Sequence, residues 1–419
     1  MKLVINGGKM LSGEIPVFGS KNAALPIIAA TVLTKEKCVL KNIPRIGDVF
    51  TMLEILKSMG STQRWIDEHT IEIENKDLDQ SRINQKLVCT IRASIILIGP
   101  MLARFGIARL ATPGGCQIGS RPLDTHFMAF RDFGVDISFD EKNGEYAFML
   151  KNPTNEKVVL KELSVTATES LMMLGAKFPL TIRLAATEPH VENLGKFLSV
   201  LGVEVSGAGT NIISIKPAKN ESQQIIFEIT YDYIEMGTFA ILGAATKSKL
   251  TISNVIEDQL DAVLHKLREM GVAFEMQNDK LFINGPAGNL KAAKIEARLY
   301  PGIPTDLQAP FGVLATQSEG QSLIFDTLYD GRLQYIHELQ KMGAAGTVLG
   351  PHRAVIQGPT VLHGTEIKSL DLRAGATLLI AALIAQGESV IQDAELIDRG
   401  YEKLDERLRA LGADIIRHP

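Results

Sequence analysis

Cysteine is scarce: Cys38, Cys89 and Cys116 are the only three, and they lie too far apart for any pair to have metal-ligand spacing. That pattern excludes a disulfide scaffold and a structural zinc site. Cys38 and Cys89 read as small buried hydrophobes. Eight histidines form no HExxH motif and no paired cluster, so neither a metal nor a cofactor is assigned. Charge of one sign is also missing. Lys and Arg number 44 against 48 Asp and Glu, for a formal net charge of -4, which argues against a nucleic-acid partner because phosphate-backbone binding wants a basic surface. No apolar run reaches the ~20 residues that span a bilayer. The most apolar stretches, around 93–103 and 376–385, read as buried helices. Residues 1–13 mix apolar side chains with Lys and Gly and lack the apolar core of a signal peptide. These absences leave a reduced, cytoplasmic chain without a membrane partner.

What is present is repetition. The chain has 419 residues, too long for one ordinary core, and predicts two domains of ~200 residues. Six segments carry a helical apolar pattern that ends in glycine and leads into a strand: Leu56–Gly60, Phe130–Gly134, Leu198–Gly202, Leu267–Gly271, Leu339–Gly343 and Leu408–Gly412. Their glycines are spaced 74, 68, 69, 72 and 69 residues apart. Glycine just past the last apolar helical position is a C-terminal stop, since it tolerates the left-handed conformation. A second helix recurs near Lys21, Arg92, Thr168, Glu235, Asp306 and Arg373, rich in Ala and bare of charge through its middle. A helix apolar on all sides is a buried one. Six units of about 70 residues therefore predict an α/β protein of two domains, each built from three pseudo-repeats. The boundaries fall at 20–229 for the first domain and 230–419 plus 1–19 for the second, with the active site in the cleft between them. Lys2-Leu3-Val4-Ile5 reads as a strand that completes the last unit.

Basic residues stand where helix dipoles disfavour them. Lys21, Arg92 and Arg373 open buried helices, Arg332 and Arg399 are read as opening amphipathic ones, and Arg121 precedes another. A cation at a helix N-terminus is unfavourable unless an anion joins it, and such an end backed by Arg or Lys is an anion site. One such residue alone would read as a surface salt bridge. Six at equivalent repeat positions point to a small, multiply charged anion carrying phosphate or carboxylate.

Cys116 lies in Thr112-Pro113-Gly114-Gly115-Cys116-Gln117-Ile118-Gly119-Ser120-Arg121-Pro122, too rich in Gly and Pro for helix or strand, and so on a loop. Its thiol reads equally as a structural side chain or as a reactive one beside an arginine. Asp306 in Pro304-Thr305-Asp306 and Asp371 before Arg373 both fit ordinary first-turn or N-cap carboxylates.

Six ordered motifs, taken together, resemble one family over nearly the whole chain. They are Gly19-Ser20-Lys21-Asn22-Ala23-Ala24-Leu25-Pro26, Ile91-Arg92-Ala93-Ser94, the Pro113–Asp124 loop, Pro304-Thr305-Asp306-Leu307-Gln308-Ala309, Asp371-Leu372-Arg373-Ala374 and Ile397-Asp398-Arg399-Gly400-Tyr401. The chain resembles the enolpyruvyl transferases, and among them the UDP-N-acetylglucosamine 1-carboxyvinyltransferases of peptidoglycan synthesis. The resemblance implies two inside-out α/β domains and transfer of the carboxyvinyl group of phosphoenolpyruvate to the 3′-hydroxyl of UDP-N-acetylglucosamine, in a monomer. It makes Cys116 the general acid and Asp306 the acceptor of the sugar hydroxyl proton. Lys21 and Arg121 would hold the phosphate of phosphoenolpyruvate, with Asn22 beside Lys21. Arg332, Arg373 and Arg399 would hold the carboxylate side. Arg92, Arg121, Pro122, Leu123, Asp124, Thr125, Ser164, Val165, Asp306 and Leu328 would contact the nucleotide sugar.

Departures from the family pattern bear on the acceptor. Gly47 and Glu162 stand where some members have lysines, and Thr166 and Tyr233 replace a frequent glycine and arginine. An acid at 162 is electrostatically unhelpful to a diphosphate unless its side chain turns away. The sister transferase that uses shikimate 3-phosphate shares the implied chemistry but has no counterpart of the Cys116 loop, and its Gly-Asn-Ala-Gly-Thr type motif is missing here. A non-catalytic paralogue that binds a nucleotide sugar is the reading of a different class; it has no need of both Cys116 and Asp306.

Overall fold

The computed structural model describes residues 1–114, 122–153, 155–217 and 225–419. Among these, two compact units divide the chain. An N-terminal unit holds 19–114 and 122–230, and a C-terminal unit holds Met1–Phe18 with Tyr231–Pro419. Each unit has its own apolar core.

Helices come in pairs, one buried and one amphipathic. In the N-terminal unit α1 (Lys21–Ala30) pairs with α2 (Gly47–Ser58), and a short α3 (Gln85–Val88) precedes a 3-10 turn, Arg92–Leu97, that runs into α4 (Ile98–Phe105). Then follow α5 (Asp124–Phe133), α6 (Val165–Gly175) and α7 (Pro189–Val200). The C-terminal unit repeats the pattern with α8 (Tyr233–Ala245), α9 (Asp261–Glu269), α10 (Thr305–Thr316), α11 (Tyr335–Lys341), α12 (Leu372–Ile384) and α13 (Leu404–Ala410). Every residue of α8 is buried, as are those from Leu372 to Leu383 of α12. The six glycines after the amphipathic helices all take positive φ, from 86° at Gly202 to 109° at Gly60, so each helix stops where only glycine adopts that backbone cheaply.

Sheets lie outside these helices, with strands whose burial alternates, as in Ile71–Glu74 and Glu388–Gln392. This is the inside-out arrangement the resemblance implies. In each four-stranded sheet one edge strand runs parallel to its neighbour and the rest pair antiparallel. Ile225–Glu228 joins Lys37–Lys41 in parallel, so the third repeat of the N-terminal unit closes onto the first. In the C-terminal unit Lys2–Asn6 lies between Glu388–Gln392 and Asp414–His418.

The structure corrects several expectations. The third and fourth buried helices begin at Val165 and Tyr233, three and two residues before the expected openings. They also enclose acids, because Glu169 and Glu235 are 1% and 4% exposed. Arg332 lies in a turn three residues before α11 rather than at its start. Arg399 ends the 3-10 helix Ala394–Arg399, where a cation meets the negative end of the helix dipole and is favourable. Cys38 is buried, and burial pushes its thiol up to about 12, but Cys89 is exposed and is not a core residue.

Candidate active site

In the C-terminal unit the buried helices bring three repeats' worth of charge to one place. Thr305 opens α10, and its hydroxyl donates to Asp326 at the end of strand Gly320–Asp326. That bond fixes the first turn of α10, where Asp306 sits. Asp306 does not cap its helix. Its Oδ1 accepts from Arg332 Nη2 and its Oδ2 from Arg373 Nε at 3.3 Å. Gln308 on the same helix donates to the Arg332 carbonyl at 3.3 Å and accepts from the Tyr335 hydroxyl at 3.2 Å. One helix thus sets both the carboxylate and the backbone of its arginine partner. Asp371 is the ordinary N-cap of α12, its Oδ1 accepting from the amides of Arg373 and Ala374 at 2.7 and 3.0 Å. It also lies 4.0 Å from Arg332 Nη1.

Both guanidinium groups are buried, with side chains 10% and 4% exposed at Arg332 and Arg373. Burial opposes their charge, but Asp306, Asp371, Tyr329 and Asp326 around Arg332 outweigh it and raise its pKa. For Arg373, Tyr401, Asp306 and Asp232 do the same. The Arg373 guanidinium lies 5.0 Å from the centre of the Tyr401 ring, and the Tyr401 hydroxyl is 2.9 Å from Thr238 Oγ1 on α8. Nη1 and Nη2 of Arg373 and Nε of Arg332 meet no hydrogen-bond acceptor among the described residues. A buried guanidinium with idle donors is costly. A bidentate anion would satisfy them. Arg399 is half-buried two residues before Tyr401. Leu328 is half-buried in a turn held by Asp326, whose Oδ1 accepts from the Leu328 and Tyr329 amides at 2.9 and 3.0 Å.

The N-terminal unit assembles a second set. Ser20 caps α1, accepting from the Ala23 amide at 3.4 Å, and places Lys21 and Asn22 in the first turn. Lys21 Nζ is 3.3 Å from Asp48 Oδ2, with side chains 13% and 7% exposed. Asp48 lies in the first turn of α2, right after Gly47, where the dipole favours an acid. Arg92 Nη2 donates to the Pro122 carbonyl at 3.3 Å. Ser164 caps α6, leaving Val165 half-buried at its first turn. Thr125 donates to Glu162 Oε1 at 2.9 Å, and His126 Nε2 is 2.9 Å from Thr166 Oγ1. Leu123 is the N-cap residue of α5, and Asp124 is exposed in its first turn. The substitutions at 162 and 166 therefore engage consecutive residues at the start of α5. Tyr233 is a core residue, 5% exposed, its ring packed edge-on against Tyr300. Cys116 and Arg121 lie outside the described residues.

Asp48, Asp232 and Thr238 escaped the sequence reading. Each is polar at or near the start of a helix among apolar neighbours, and that signature equally marks a plain helix cap.

The profile of EPSP synthase (3-phosphoshikimate 1-carboxyvinyltransferase) matches residues 5–408. The chain is 39% identical over 422 residues to UDP-N-acetylglucosamine 1-carboxyvinyltransferase 2 of Clostridium tetani, covering 99% of each chain. It is 39% identical over 417 residues to the UDP-N-acetylglucosamine 1-carboxyvinyltransferase of Deinococcus radiodurans, covering 99% of this chain and 97% of that one. Among solved structures, the enolpyruvyl transferase NikO of Streptomyces tendae superposes with a TM-score of 0.87 at 24% identity, covering 100% and 98% of the two chains. That likeness fixes the fold. No helix among the described residues is long and apolar enough to cross a membrane. With a family profile and relatives of this identity spanning the chain, the protein belongs to the carboxyvinyltransferase family of EPSP synthase, on the branch of the UDP-N-acetylglucosamine 1-carboxyvinyltransferases.

Proposed function

We propose that the protein transfers the carboxyvinyl group of phosphoenolpyruvate to the 3′-hydroxyl of UDP-N-acetylglucosamine with release of phosphate, in the cytoplasm and as a monomer, at the entry to peptidoglycan synthesis. The observation that carries this is Asp306 held between Arg332 and Arg373, with three guanidinium nitrogens left without acceptors among the described residues. Phosphoenolpyruvate presents a carboxylate and a phosphate together, and that pair matches idle bidentate donors better than a neutral sugar does.

In the reaction so assigned, the sugar oxygen bonds to C2 of phosphoenolpyruvate while its proton passes to Asp306. Cys116 delivers a proton to C3, and a tetrahedral adduct results. Loss of a C3 proton and of the phosphate then restores the double bond in the product. Arg332, Arg373 and Arg399 take the carboxylate side; Lys21, Asn22 and Arg121 take the phosphate. Arg92, Pro122 to Thr125, Ser164, Val165 and Leu328 receive the nucleotide sugar. A placed general acid contributes roughly 10²- to 10⁴-fold.

Phosphate release measured with phosphoenolpyruvate and UDP-N-acetylglucosamine tests the assignment, with shikimate 3-phosphate in parallel. Release that requires the nucleotide sugar and vanishes in Cys116→Ala supports it. Release with shikimate 3-phosphate alone, or none with either acceptor from folded protein, overturns it.

A further inference from the structure

The stretch from the end of the 3-10 helix Ala394–Arg399 to the first turn of α13 carries Arg399 and Tyr401 between two acids, Asp398 and Asp405. Arg417, on the strand Asp414–His418, reaches both. Its Nη1 and Nη2 donate to Asp398 Oδ2 and Oδ1 at 2.7 and 3.0 Å. Its Nε and Nη2 donate to Asp405 Oδ2 and Oδ1 at 3.1 and 2.6 Å. Each carboxylate is gripped by two nitrogens, the strongest geometry for such a pair. Arg417 Nη1 also lies 3.2 Å from the Met1 sulfur, and Asp405 receives a second ion pair from Arg409 Nη1 at 3.2 Å. Asp405 is 2% exposed, so part of this clamp is shielded from water, where ion pairs count for more than on the surface.

Between the two gripped ends, the segment presses on the start of α12. A Cβ at Gly400 would fall 2.5 Å from Leu372 Cδ1, and one at Gly375 would fall 2.7 Å from Ile397 Cγ1. Glycine at both places lets the segment and the helix interlock. Tyr401 then lies under the Arg373 guanidinium and is tied to Thr238.

We infer that Arg417 is a positioning residue for the anion-binding arginines: by clamping Asp398 and Asp405 it fixes the loop that presents Arg399 and seats Tyr401 beneath Arg373. It touches no substrate itself. The inference rests on the proposed function for its catalytic consequence, and on the contacts above for its structural one. A displacement of about 1 Å in a positioning group costs up to about 100-fold in rate or affinity, so loss of the clamp is felt at phosphoenolpyruvate and not at the nucleotide sugar.

The test compares the full-length protein with Arg417→Gln, Arg417→Lys and Asp398→Asn. Hydrogen exchange is read on peptides covering 398–405 and 371–376, and KM is measured separately for phosphoenolpyruvate and UDP-N-acetylglucosamine. The clamp predicts faster exchange confined to those peptides in Arg417→Gln. It also predicts a KM for phosphoenolpyruvate raised about tenfold or more, with the nucleotide-sugar KM within about twofold of wild type. Asp398→Asn should reproduce the split, Arg417→Lys should recover part of it, and Arg417→Gln with Asp398→Asn should be no worse than the single change. Unchanged exchange, exchange raised evenly through the C-terminal unit, or both KM values raised together overturns the inference. If Arg417→Gln fails to fold, Asp398→Asn and Arg417→Lys decide it by the same measurements. A wild-type protein inactive with phosphoenolpyruvate overturns the proposed function, and the exchange comparison still decides whether Arg417 positions the loop.

Discussion

Asp306 and Arg373 come from different repeats, 67 residues apart in sequence, and meet through Oδ2 and Nε at 3.3 Å. The same carboxylate also engages Arg332. One acid therefore separates two buried cations and partly occupies donors that an anionic substrate needs. The proton-transfer role proposed for it and its effect on binding pull in opposite directions.

Asp306→Asn separates these effects. The amide keeps the shape, removes the base and leaves the arginines less neutralised. Turnover should fall by about 10²- to 10⁴-fold, while the affinity for phosphoenolpyruvate holds or tightens. Steady-state kcat against the dissociation constant of phosphoenolpyruvate checks this. A loss of affinity parallel to the loss of kcat would mean that Asp306 mainly holds the arginines in place.

Glu162 is exposed and bonded to Thr125, so its side chain is held at the start of α5 rather than left to swing. Glu162→Gln keeps an acceptor for Thr125 and removes the charge. An exposed charge pair is worth about 0–1 kcal/mol, so the KM for UDP-N-acetylglucosamine should fall about two- to fivefold, with kcat unchanged. The gain should shrink as salt is added, because exposed charges are screened. A KM that does not respond to the substitution places Glu162 away from the diphosphate.

How much of this was legible follows from what each feature costs locally. The glycines at 60, 134, 202, 271, 343 and 412 could be read because a left-handed helix stop penalises any other residue, and all six adopt it. The buried helices could be read because charge is costly inside a core; Glu169 and Glu235 are the exceptions, and Glu235 is paired with Arg407. Arg399 was misplaced because Ala394–Arg399 and Leu404–Ala410 are two short helices interrupted by Lys403 in a left-handed conformation, and nothing in apolar spacing marks that break. The Arg417 clamp joins Asp398 and Asp405 across 19 and 12 residues through side chains alone, and such contacts leave no periodic trace. Cys89 looked like a core residue because a lone cysteine usually is one. Here it follows a four-residue helix on the surface.

Gly114 sits two residues before Cys116, and a Cβ there would lie 1.7 Å from the Cys89 carbonyl oxygen. The chain entering the Cys116 loop is thus set by a contact that only glycine permits. Gly114→Ala must shift that entry. We expect kcat to drop about 10- to 100-fold, with alkylation of the Cys116 thiol by an epoxide-phosphonate slowed in step. The melting temperature should fall by only a few degrees, about what 1 kcal/mol removes from a unit of this size. Equal losses in a variant that melts far earlier would point to general destabilisation instead.

Glu169 and Glu188 form a buried acidic pair in the N-terminal unit, and Glu169 Oε1 and Glu188 Oε2 have no hydrogen-bond partner among the described residues. Burial, and then the field of Glu188, raises the Glu169 pKa well above its usual value; burial raises Glu188 as well. A carboxyl whose pKa is higher folded than unfolded binds its proton more tightly in the fold. Its stabilising contribution is therefore complete below the ordinary glutamate range and is lost as pH rises from there toward the folded pKa, at up to about 1.4 kcal/mol per pH unit for each proton. Glu169→Gln removes that dependence, so the variant should be more stable than wild type from about pH 6 upward and close to it near pH 4. The chain's single tryptophan, Trp65, lies in the N-terminal unit, so urea unfolding followed by its fluorescence reports on that unit alone. A midpoint that falls with rising pH in the wild type and flattens in Glu169→Gln is the expected result. Parallel curves for the two proteins would mean that Glu169 stays charged in the fold, and that something other than its proton compensates its burial.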